Sequence, residues 1–250
     1  MEIEDSNRKN WIILPKQFTR GEYNVHVDSA RLAYSPAVEK VGKELGLNLN
    51  HTSTDSMGRE FIDNMNWTQA LRINQALGYQ TLVLSEFVGL GKLLYSGSKG
   101  EVDVYDANHR RLSPKLCRNY FNDIFEVGSP KREEWIDERF TGINEDITRH
   151  SRHVFSENGD MTSCNSESLD SGIIDQEKCM TLEGWFESSS PQGFPLKDAE
   201  SGEELVFLSP KNHMDTQRVA MFQNLHAVNR LYCSALPGFE SGVRAARQIK

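Results

Sequence analysis

The sequence predicts an α+β protein whose helices are concentrated in the first half of the chain and whose strands lie near both ends. Between positions 36 and 125, apolar residues recur three and four positions apart, as the buried face of a helix requires. Short alternating or continuous apolar runs near both ends are typical of strands. A length of 250 residues allows one large domain or two small ones, with a core that needs no disulfide or metal ion.

The first predicted elements are two strands and a helix. Trp11–Leu14 is a continuous apolar run closed by a proline, and Tyr23–Val27 alternates between apolar and polar residues. A helix is predicted over Ala37–Leu45, which follows a proline and is stopped by a glycine. The segment 48–58 is rich in Asn, Thr and Ser, and these residues favour a loop.

Two helices have clear start signals in the sequence. Asn66 is a suitable N-cap for a helix over Trp67–Leu77, and Gly78 is a suitable stop. Ser113 followed by Pro114 places a capping hydroxyl before a proline at the first helical position, so a further helix is expected there.

Two other segments are predicted to be helical on less regular patterns. Ser85 would cap a helix over Glu86–Tyr95, in which Gly89 and Gly91 each cost about 1 kcal/mol relative to alanine. We expect these glycines to allow close packing onto the preceding helix. A second Ser-Pro pair predicts that residues 131–137 begin another helix.

The second half of the chain is predicted to contain a long irregular insert followed by strands. Residues 141–181 are dominated by Ser, Asn, Asp, Glu and Gly, which favour loop-rich structure. Strands are predicted after the insert at Leu205–Leu208, Val219–Phe222 and Gly242–Ala245, and one further strand is predicted earlier, at Val102–Asp106.

Charge and hydropathy exclude several classes of function. There are 28 Lys and Arg against 36 Asp and Glu, a net charge of -8, so a nucleic-acid partner is not expected. No run of 18 apolar residues predicts a membrane-spanning helix, and the polar N-terminus lacks the pattern of a secretory signal. The default expectation is a cytoplasmic protein without membrane insertion.

The sequence contains none of the common phosphate-binding, zinc-protease or serine-hydrolase motifs, and no catalytic residue, metal ion or other cofactor is predicted. His150 and His153 could form a metal pair, but neighbouring arginines repel cations, so a solvated loop is favoured. A cluster of carboxylates at helical spacing is interpreted as a solvated helix face with local ion pairs; its members are Glu133, Glu134, Asp137 and Glu138.

The four cysteines are scattered and form no CxxC pair, which fits a reducing compartment. A disulfide between Cys164 and Cys179 remains an alternative. Cys233 could pair with His226 as a thiolate and imidazole, but its apolar neighbours favour a buried core thiol.

The segment from Val219 to Val243 differs in composition from the rest of the chain. Only Arg230 and Glu240 are charged in it, and apolar residues alternate with Asn, His, Tyr, Ser, Gly and Phe. That mixture is typical of adaptable binding surfaces, although a surface loop near the end of a domain has the same composition.

Short motifs in a fixed order resemble archaeal diversity-generating retroelement variable proteins. The C-terminal motifs are Val219-Ala220-x-Phe222, Leu231-x-Cys233-x-x-x-Pro237 and Gly242-Val243-Arg244-Ala245-Ala246-Arg247. Upstream motifs are Asn66-Trp67-x-x-Ala70-Leu71-x-x-Asn74-x-x-Leu77-Gly78, Glu86-Phe87, Leu93-Leu94-x-Ser96-Gly97 and Glu134-Trp135-Ile136-Asp137. The resemblance covers residues 11–247, and only loosely the loop-rich segment.

The resemblance implies a C-type lectin-like fold of the formylglycine-generating-enzyme type. A single domain would then span 1–250, with the loop-rich insert at 141–181 and a variable region at 219–247. The helices that begin at Trp67 and Glu86 would be the two main helices. The first strand and the last strand would pair, and no calcium would be needed.

The resemblance also implies a non-catalytic, ligand-binding function. In this family a reverse transcriptase misincorporates nucleotides opposite adenines of a template RNA, so asparagine codons of the form AAC come to encode other residues. Framework side chains would face inward, and variable ones would face solvent. The residues that such codons could yield are Asn224, Leu225, His226, Val228, Asn229, Arg230, Tyr232, Ser234, Ala235, Leu236, Gly238 and Phe239. The residues that match the framework are Val219, Ala220, Phe222, Leu231, Cys233, Pro237, Gly242, Val243 and Arg244.

Two other functions stay open at this point. An enzyme of the formylglycine-generating type needs a pair of active-site thiols, but Cys233 is the sole cysteine of the terminal segment. A structural or host-attachment protein of a virus or an archaeon is the other alternative. For a binding protein the partner is an unidentified ligand, either a protein or another cell-surface molecule, and the oligomeric state is open.

Overall fold

A computed structural model describes residues 10–19, 23–49, 52–63, 65–126, 132–142, 146–212, 218–224, 228–235 and 242–249. Its α-helices are α1 (Lys16–Thr19), α2 (Pro36–Glu44), α3 (Trp67–Ala76), α4 (Leu84–Lys99), α5 (Pro114–Phe125) and α6 (Leu182–Glu187). Its strands are β1 (Trp11–Leu14), β2 (Asn24–Arg31), β3 (Thr52–Thr54), β4 (Glu60–Ile62), β5 (Gln80–Thr81), β6 (Arg132–Thr141), β7 (Thr148–Phe155), β8 (Met161–Ser168), β9 (Lys178–Met180), β10 (Leu205–Leu208), β11 (Arg218–Asn224), β12 (Asn229–Ala235) and β13 (Arg244–Ile249). This confirms the α+β class and the concentration of helices in the first half.

The strands form two principal sheets. The larger sheet has seven strands in the order β8-β7-β6-β11-β12-β10-β9, and all of its pairs are antiparallel except β10 with β12. The smaller sheet has the order β1-β2-β13-β5, and β3 pairs with β4 in a separate ribbon. The long antiparallel strands β6 and β11 therefore form the centre of the larger sheet.

The predicted pairing of the first strand with the last is wrong in its detail. β1 pairs with β2, and β2 pairs with β13, so one strand lies between the two terminal strands. Both terminal strands still belong to one sheet. β2 pairs with β1 along residues 25–28 on one edge and with β13 within residues 24–31 on the other.

Several predicted helix signals are confirmed by hydrogen bonds. The Asn66 side chain accepts from the backbone N–H of Gln69, and the Gln69 side chain accepts from the N–H of Asn66, which together form a capping box. The Ser113 hydroxyl accepts from the N–H of Leu116 at the start of α5. Both caps satisfy amide groups that the first helical turn leaves without partners.

The helix α4 differs from its prediction at the N-terminus and in its packing. It begins at Leu84 after Val83, so Ser85 lies inside the helix and is not its cap. Gly89 meets the backbone carbonyl of Phe18, on α1, and Gly91 lies between the rings of Phe125 and Phe186. The glycines therefore allow close packing onto α1, α5 and α6 and not onto the preceding long helix.

The segment predicted to form a helix after residue 130 is the strand β6 instead. Trp135, Ile136 and Phe140 are buried in it, and it pairs with both β7 and β11. The helix prediction assumed that the acidic residues form an exposed face, but Glu134 and Glu138 are buried. The interpretation of these carboxylates as a solvated helix face is wrong.

The predicted loop-rich insert also has regular structure. β7 and β8 pair in register from Thr148 with Ser168 to Phe155 with Met161. Every second residue of β7 is buried from Arg149 to His153, but these residues are polar. A hydropathy pattern therefore shows no strand there, because ion pairs rather than apolar contacts fill the buried face.

Two groups of buried apolar side chains form the interior. The larger group joins α4, α5 and α6 to the inner strands, and the smaller one surrounds Trp67 and Trp135. The two tryptophans are fixed by reciprocal hydrogen bonds: Trp67 Nε1 donates to the carbonyl of Ile136 at 2.9 Å, and Trp135 Nε1 donates to that of Met65 at 2.7 Å. Within the described part of the chain, no helix is long and apolar enough to cross a bilayer.

Candidate functional site

The candidate binding region is the hairpin of β11 and β12, at the centre of the larger sheet. These strands pair in register from Arg218 with Ala235 to Asn224 with Asn229. Four predicted framework residues, Val219, Ala220, Phe222 and Leu231, are buried, as expected. The predicted inward orientation is therefore confirmed for these four side chains.

Phe222 anchors the hairpin in an aromatic cluster. Its ring centroid lies 5.1 Å from that of Phe87, 5.2 Å from that of Phe125 and 6.2 Å from that of Trp185. These separations are those of favourable tilted, edge-on and stacked aromatic pairs. The cluster ties β11 to α4, α5 and α6, so the position of the hairpin is set by the core.

The predicted solvent exposure is wrong for Asn224 and Asn229, which are each 1% exposed. The Asn224 amide donates to the carbonyl of Glu126, and the Asn229 amide donates to the carbonyls of Phe125 at 2.8 Å and Glu204 at 3.1 Å. Asn224 faces Asn229 across the hairpin, so together they fasten its end to the C-terminus of α5. They are structural anchors, because their amides satisfy carbonyls that a helix end leaves without partners.

The remaining predicted variable positions are only partly described. Arg230 is exposed, as expected, and Val228 is half-buried. The backbone of β12 carries Tyr232, Ser234 and Ala235, whose side chains lie outside the description, as does the side chain of Cys233. The positions wholly outside the described residues are Leu225, His226, Leu236, Pro237, Gly238 and Phe239.

The C-terminal framework motif is held by a buried ion pair. Arg244 Nε donates to Glu134 Oε1 at 2.9 Å, and a second guanidinium nitrogen donates to the carbonyl of Asp28 at 2.9 Å. Gly242 exchanges backbone hydrogen bonds with Glu133 and Trp135. A side chain on Gly242 would press on Arg31 and Phe61, which explains a glycine at this position.

A second polar cluster lies on β6 and β7, and sequence reasoning missed it. Glu138 accepts from the guanidinium of Arg149 and from the backbone N–H of Leu84 at 2.9 Å. Burial raises the pKa of Glu138 to about 7, although Arg149 opposes the shift. Adjacent Asp137 accepts from the ring and backbone of His153. The available signal in the sequence was the alternation of Arg149, Ser151 and His153, which puts three polar side chains on one face of a strand.

The alternative thiol and histidine sites can be compared with the structure except for Cys233 with His226, a pair that lies outside the described side chains. Cys164 and Cys179 are free and exposed, so the alternative of a disulfide between them is wrong. Cys117 is a buried free thiol. His150 bonds to the Thr141 hydroxyl and is on a strand, not in a loop. Among the residues with described positions, no group of three or more Asp, Glu, His or Cys could hold a metal ion.

Comparison with known proteins gives no match: no family model, no curated protein and no solved structure is similar to this chain. The hairpin geometry and the polar cluster are therefore the observations on which a function can be proposed.

Proposed function

We propose that this protein is a non-catalytic binding protein that displays a hypervariable surface on the hairpin of β11 and β12 in its larger sheet. The observation that carries the proposal is the contrast between neighbours on one strand: Leu231 is fully buried, whereas Arg230 is exposed. The resemblance to retroelement variable proteins implies this arrangement, in which framework side chains face the core and variable side chains face solvent.

The anchoring of the hairpin supports this proposal. Phe222 packs into the aromatic cluster, and Asn224 and Asn229 hold the strand ends to α5 through backbone carbonyls. These contacts are made by residues outside the connection at 225–227, so they are kept when the sequence of that connection changes. Substitutions on such a surface usually alter stability by within about 0.5 kcal/mol.

The anchoring also narrows the proposed variable set. Asn224 and Asn229 are excluded, because their side chains are buried and their replacement would remove the hydrogen bonds to the carbonyls of Glu126 and Phe125. The proposed variable positions are Leu225, His226, Val228, Arg230, Tyr232, Ser234, Ala235, Leu236, Gly238 and Phe239. The ligand would be a protein or another cell-surface molecule, and the retroelement would diversify these positions by adenine-directed mutagenesis.

A paired library experiment tests the proposal. One library randomises Leu225, His226, Val228, Arg230 and Phe239, and a matched library randomises five framework residues, which are Val219, Ala220, Phe222, Leu231 and Val243. Protease resistance on a display platform measures the folded fraction of each. We expect most members of the first library to fold and to yield binders to unrelated protein baits, whereas most of the second should unfold. Equal loss of folding in both libraries would contradict the proposal.

A genomic observation tests the retroelement part separately. We expect a near-repeat of the coding sequence for 219–247, differing at adenines, beside a reverse-transcriptase gene. If the source genome has neither feature, the retroelement part of the proposal is wrong, and a host-attachment or structural protein is the remaining candidate.

A further inference from the structure

A cavity of about 200 Å³ opens beside the first half of α4, where α1 and the turn at 189–193 meet that helix. Hydrogen bonds close the turn, because Ser190 N–H donates to the carbonyl of Phe194 at 2.8 Å and Gly193 N–H donates to that of Ser190 at 2.9 Å. The Gly193 carbonyl accepts from Nε1 of the buried Trp185, on α6, at 2.9 Å. The turn that bounds the cavity is therefore fastened to the core.

Two glycines that line the cavity bring its walls close together. A Cβ on Gly193, whose φ is 93°, would lie 2.7 Å from the amide nitrogen of Ser85. A Cβ on Gly89 would overlap the carbonyl of Phe18. Both walls are therefore main chain at these points, and no side chain from position 89 or 193 fills the space.

Three polar side chains at the cavity are within reach of a small molecule. Gln17 and Lys92 are exposed, and Ser85 is half-buried. None of the three has a hydrogen-bond or ion-pair partner among the described residues, and each of them can donate. The described residues that line the cavity include no Asp or Glu. The cavity therefore presents donors and one positive charge, which favours an anion that is rich in acceptor oxygens.

A second lysine of α4 has the carboxylate partner that Lys92 lacks. Lys99 Nζ lies 3.1 Å from a carboxylate oxygen of Glu183 and 4.0 Å from the centre of the Tyr95 ring. Within the part of the chain that the structure describes, no carboxylate holds Lys92 in this way. Ser85 lies in the first turn of the same helix, where the helix dipole adds to the attraction of an anion. The charge of Lys92 is therefore available to a ligand, and Lys99 provides a matched control.

We propose that this cavity is a binding site for a small carboxylate that carries a further acceptor oxygen, such as a 2-oxo acid. The carboxylate pairs with the Lys92 ammonium, and the second oxygen accepts from the Ser85 hydroxyl and the Gln17 amide. The short carbon chain contacts the half-buried Phe18. A cavity of about 150 Å³ accommodates benzene, so this one has room for an acid of similar size. The described lining includes no residue of β11 or β12, so this proposal and the hypervariable surface can fail independently.

The test is a titration of the ¹⁵N-labelled protein at low ionic strength with 2-oxobutyrate and with 1-hydroxybutan-2-one, its neutral analogue. The amide resonances of Ser85, Gly89 and Gly193 report binding in the cavity. We expect 2-oxobutyrate to shift them in a saturable way and the neutral analogue to bind more weakly. Lys92→Gln should weaken the binding of 2-oxobutyrate about fivefold, as the loss of one partly screened ion pair would, whereas Lys99→Gln should leave it unchanged.

A second variant tests the location of the site. Ser85→Leu places a larger apolar side chain at the cavity, so it should abolish the shifts. If this variant does not fold, the comparison of Lys92→Gln with Lys99→Gln still decides, because both positions are exposed. Three outcomes would overturn the proposal: no saturable shift at the three amides, equal affinity for the acid and its neutral analogue, or equal affinity of the two lysine variants.

Discussion

Several charged residues of β6 are buried, although the polar sequence around them predicts exposed side chains. Glu134, Asp137 and Glu138 are buried, and each has a partner on another strand: Arg244, His153 and Arg149. A buried charge is tolerated only when it is paired and hydrogen-bonded, because desolvation costs several kcal/mol per ion. These residues therefore specify which strands lie next to β6.

Glu138 gives a prediction about pH. Its pKa in the folded protein is about 7, raised by burial from 4.5, so the folded state binds its proton more tightly than the unfolded state. Its contribution to stability is complete below about pH 4.5 and is lost as the pH rises to about 7. We expect the difference in unfolding free energy between wild type and Glu138→Gln to fall between pH 5 and pH 7.5, as measured by urea denaturation.

The glutamine variant keeps the acceptor for the Leu84 N–H, so it isolates the titration. A difference that grows with pH would show that attraction to Arg149 exceeds the cost of burial, and it would contradict this prediction.

Phe222 gives a prediction about packing. Its side chain is 2% exposed and contacts three aromatic rings, so Phe222→Ala should lower the free energy of unfolding by about 3–5 kcal/mol. The control is Arg230→Ala, on the neighbouring strand, which should change it by within about 0.5 kcal/mol because the side chain is exposed. Thermal and urea denaturation measure both. Similar losses in the two variants would contradict the framework assignment.

At the scale of elements, α4 shows how close contact can override helix propensity. Its glycines lower the intrinsic stability of the helix by about 1 kcal/mol each, but they let other elements approach its axis. A Cβ at position 91 would lie 2.8 Å from the rings of Phe125 and Phe186. A Cβ at position 89 would overlap the carbonyl of Phe18, which is backbone and cannot move aside.

Gly89→Ala is therefore expected to destabilise the protein by about 1–3 kcal/mol, despite the better helix former, because the site is overpacked. Lys92→Ala, at an exposed position of the same helix, is the control and should be nearly neutral. Chemical denaturation compares the two. A gain in stability for Gly89→Ala would show that α1 does not pack against α4 in solution.

At the scale of the whole molecule, one ion pair joins the two principal sheets. Glu134 belongs to β6 in the larger sheet, and Arg244 belongs to β13 in the smaller one. Both side chains are buried, and Arg244 also donates to the carbonyl of Asp28 on β2. The last strand of the chain is thereby connected to its middle, which no local pattern in the sequence reports.

Arg244→Met is expected to cost about 3–5 kcal/mol, because it leaves the Glu134 carboxylate buried without its partner. The double variant Arg244→Met with Glu134→Leu should recover much of that loss, since a well-packed apolar pair removes the unpaired charge. A double-mutant cycle by urea denaturation measures the coupling. Additive losses would mean that the two side chains do not interact.

Sequence reasoning predicted the elements whose signals are local. The helices α3 and α5 have capping residues and apolar stripes, and β1, β10 and β11 are short apolar runs, so their prediction needed no knowledge of neighbours. At the candidate site, the buried state of Val219, Ala220, Phe222 and Leu231 was predicted from the family resemblance. The anchoring role of Asn224 and Asn229 was not, because an asparagine at the surface and one bonded to a distant helix end look alike in sequence.

The sequence by itself determined the α+β class, the start of the capped helices and the apolar strand at 219–222, since capping and hydrophobic periodicity act over a few residues. The tertiary structure decided that 132–141 is a strand, that 148–168 is a hairpin and that β2 separates the terminal strands. In each of these cases the deciding interactions are ion pairs or backbone hydrogen bonds between residues far apart in the chain. Such contacts exist only after the chain has folded, so no short stretch of sequence encodes them.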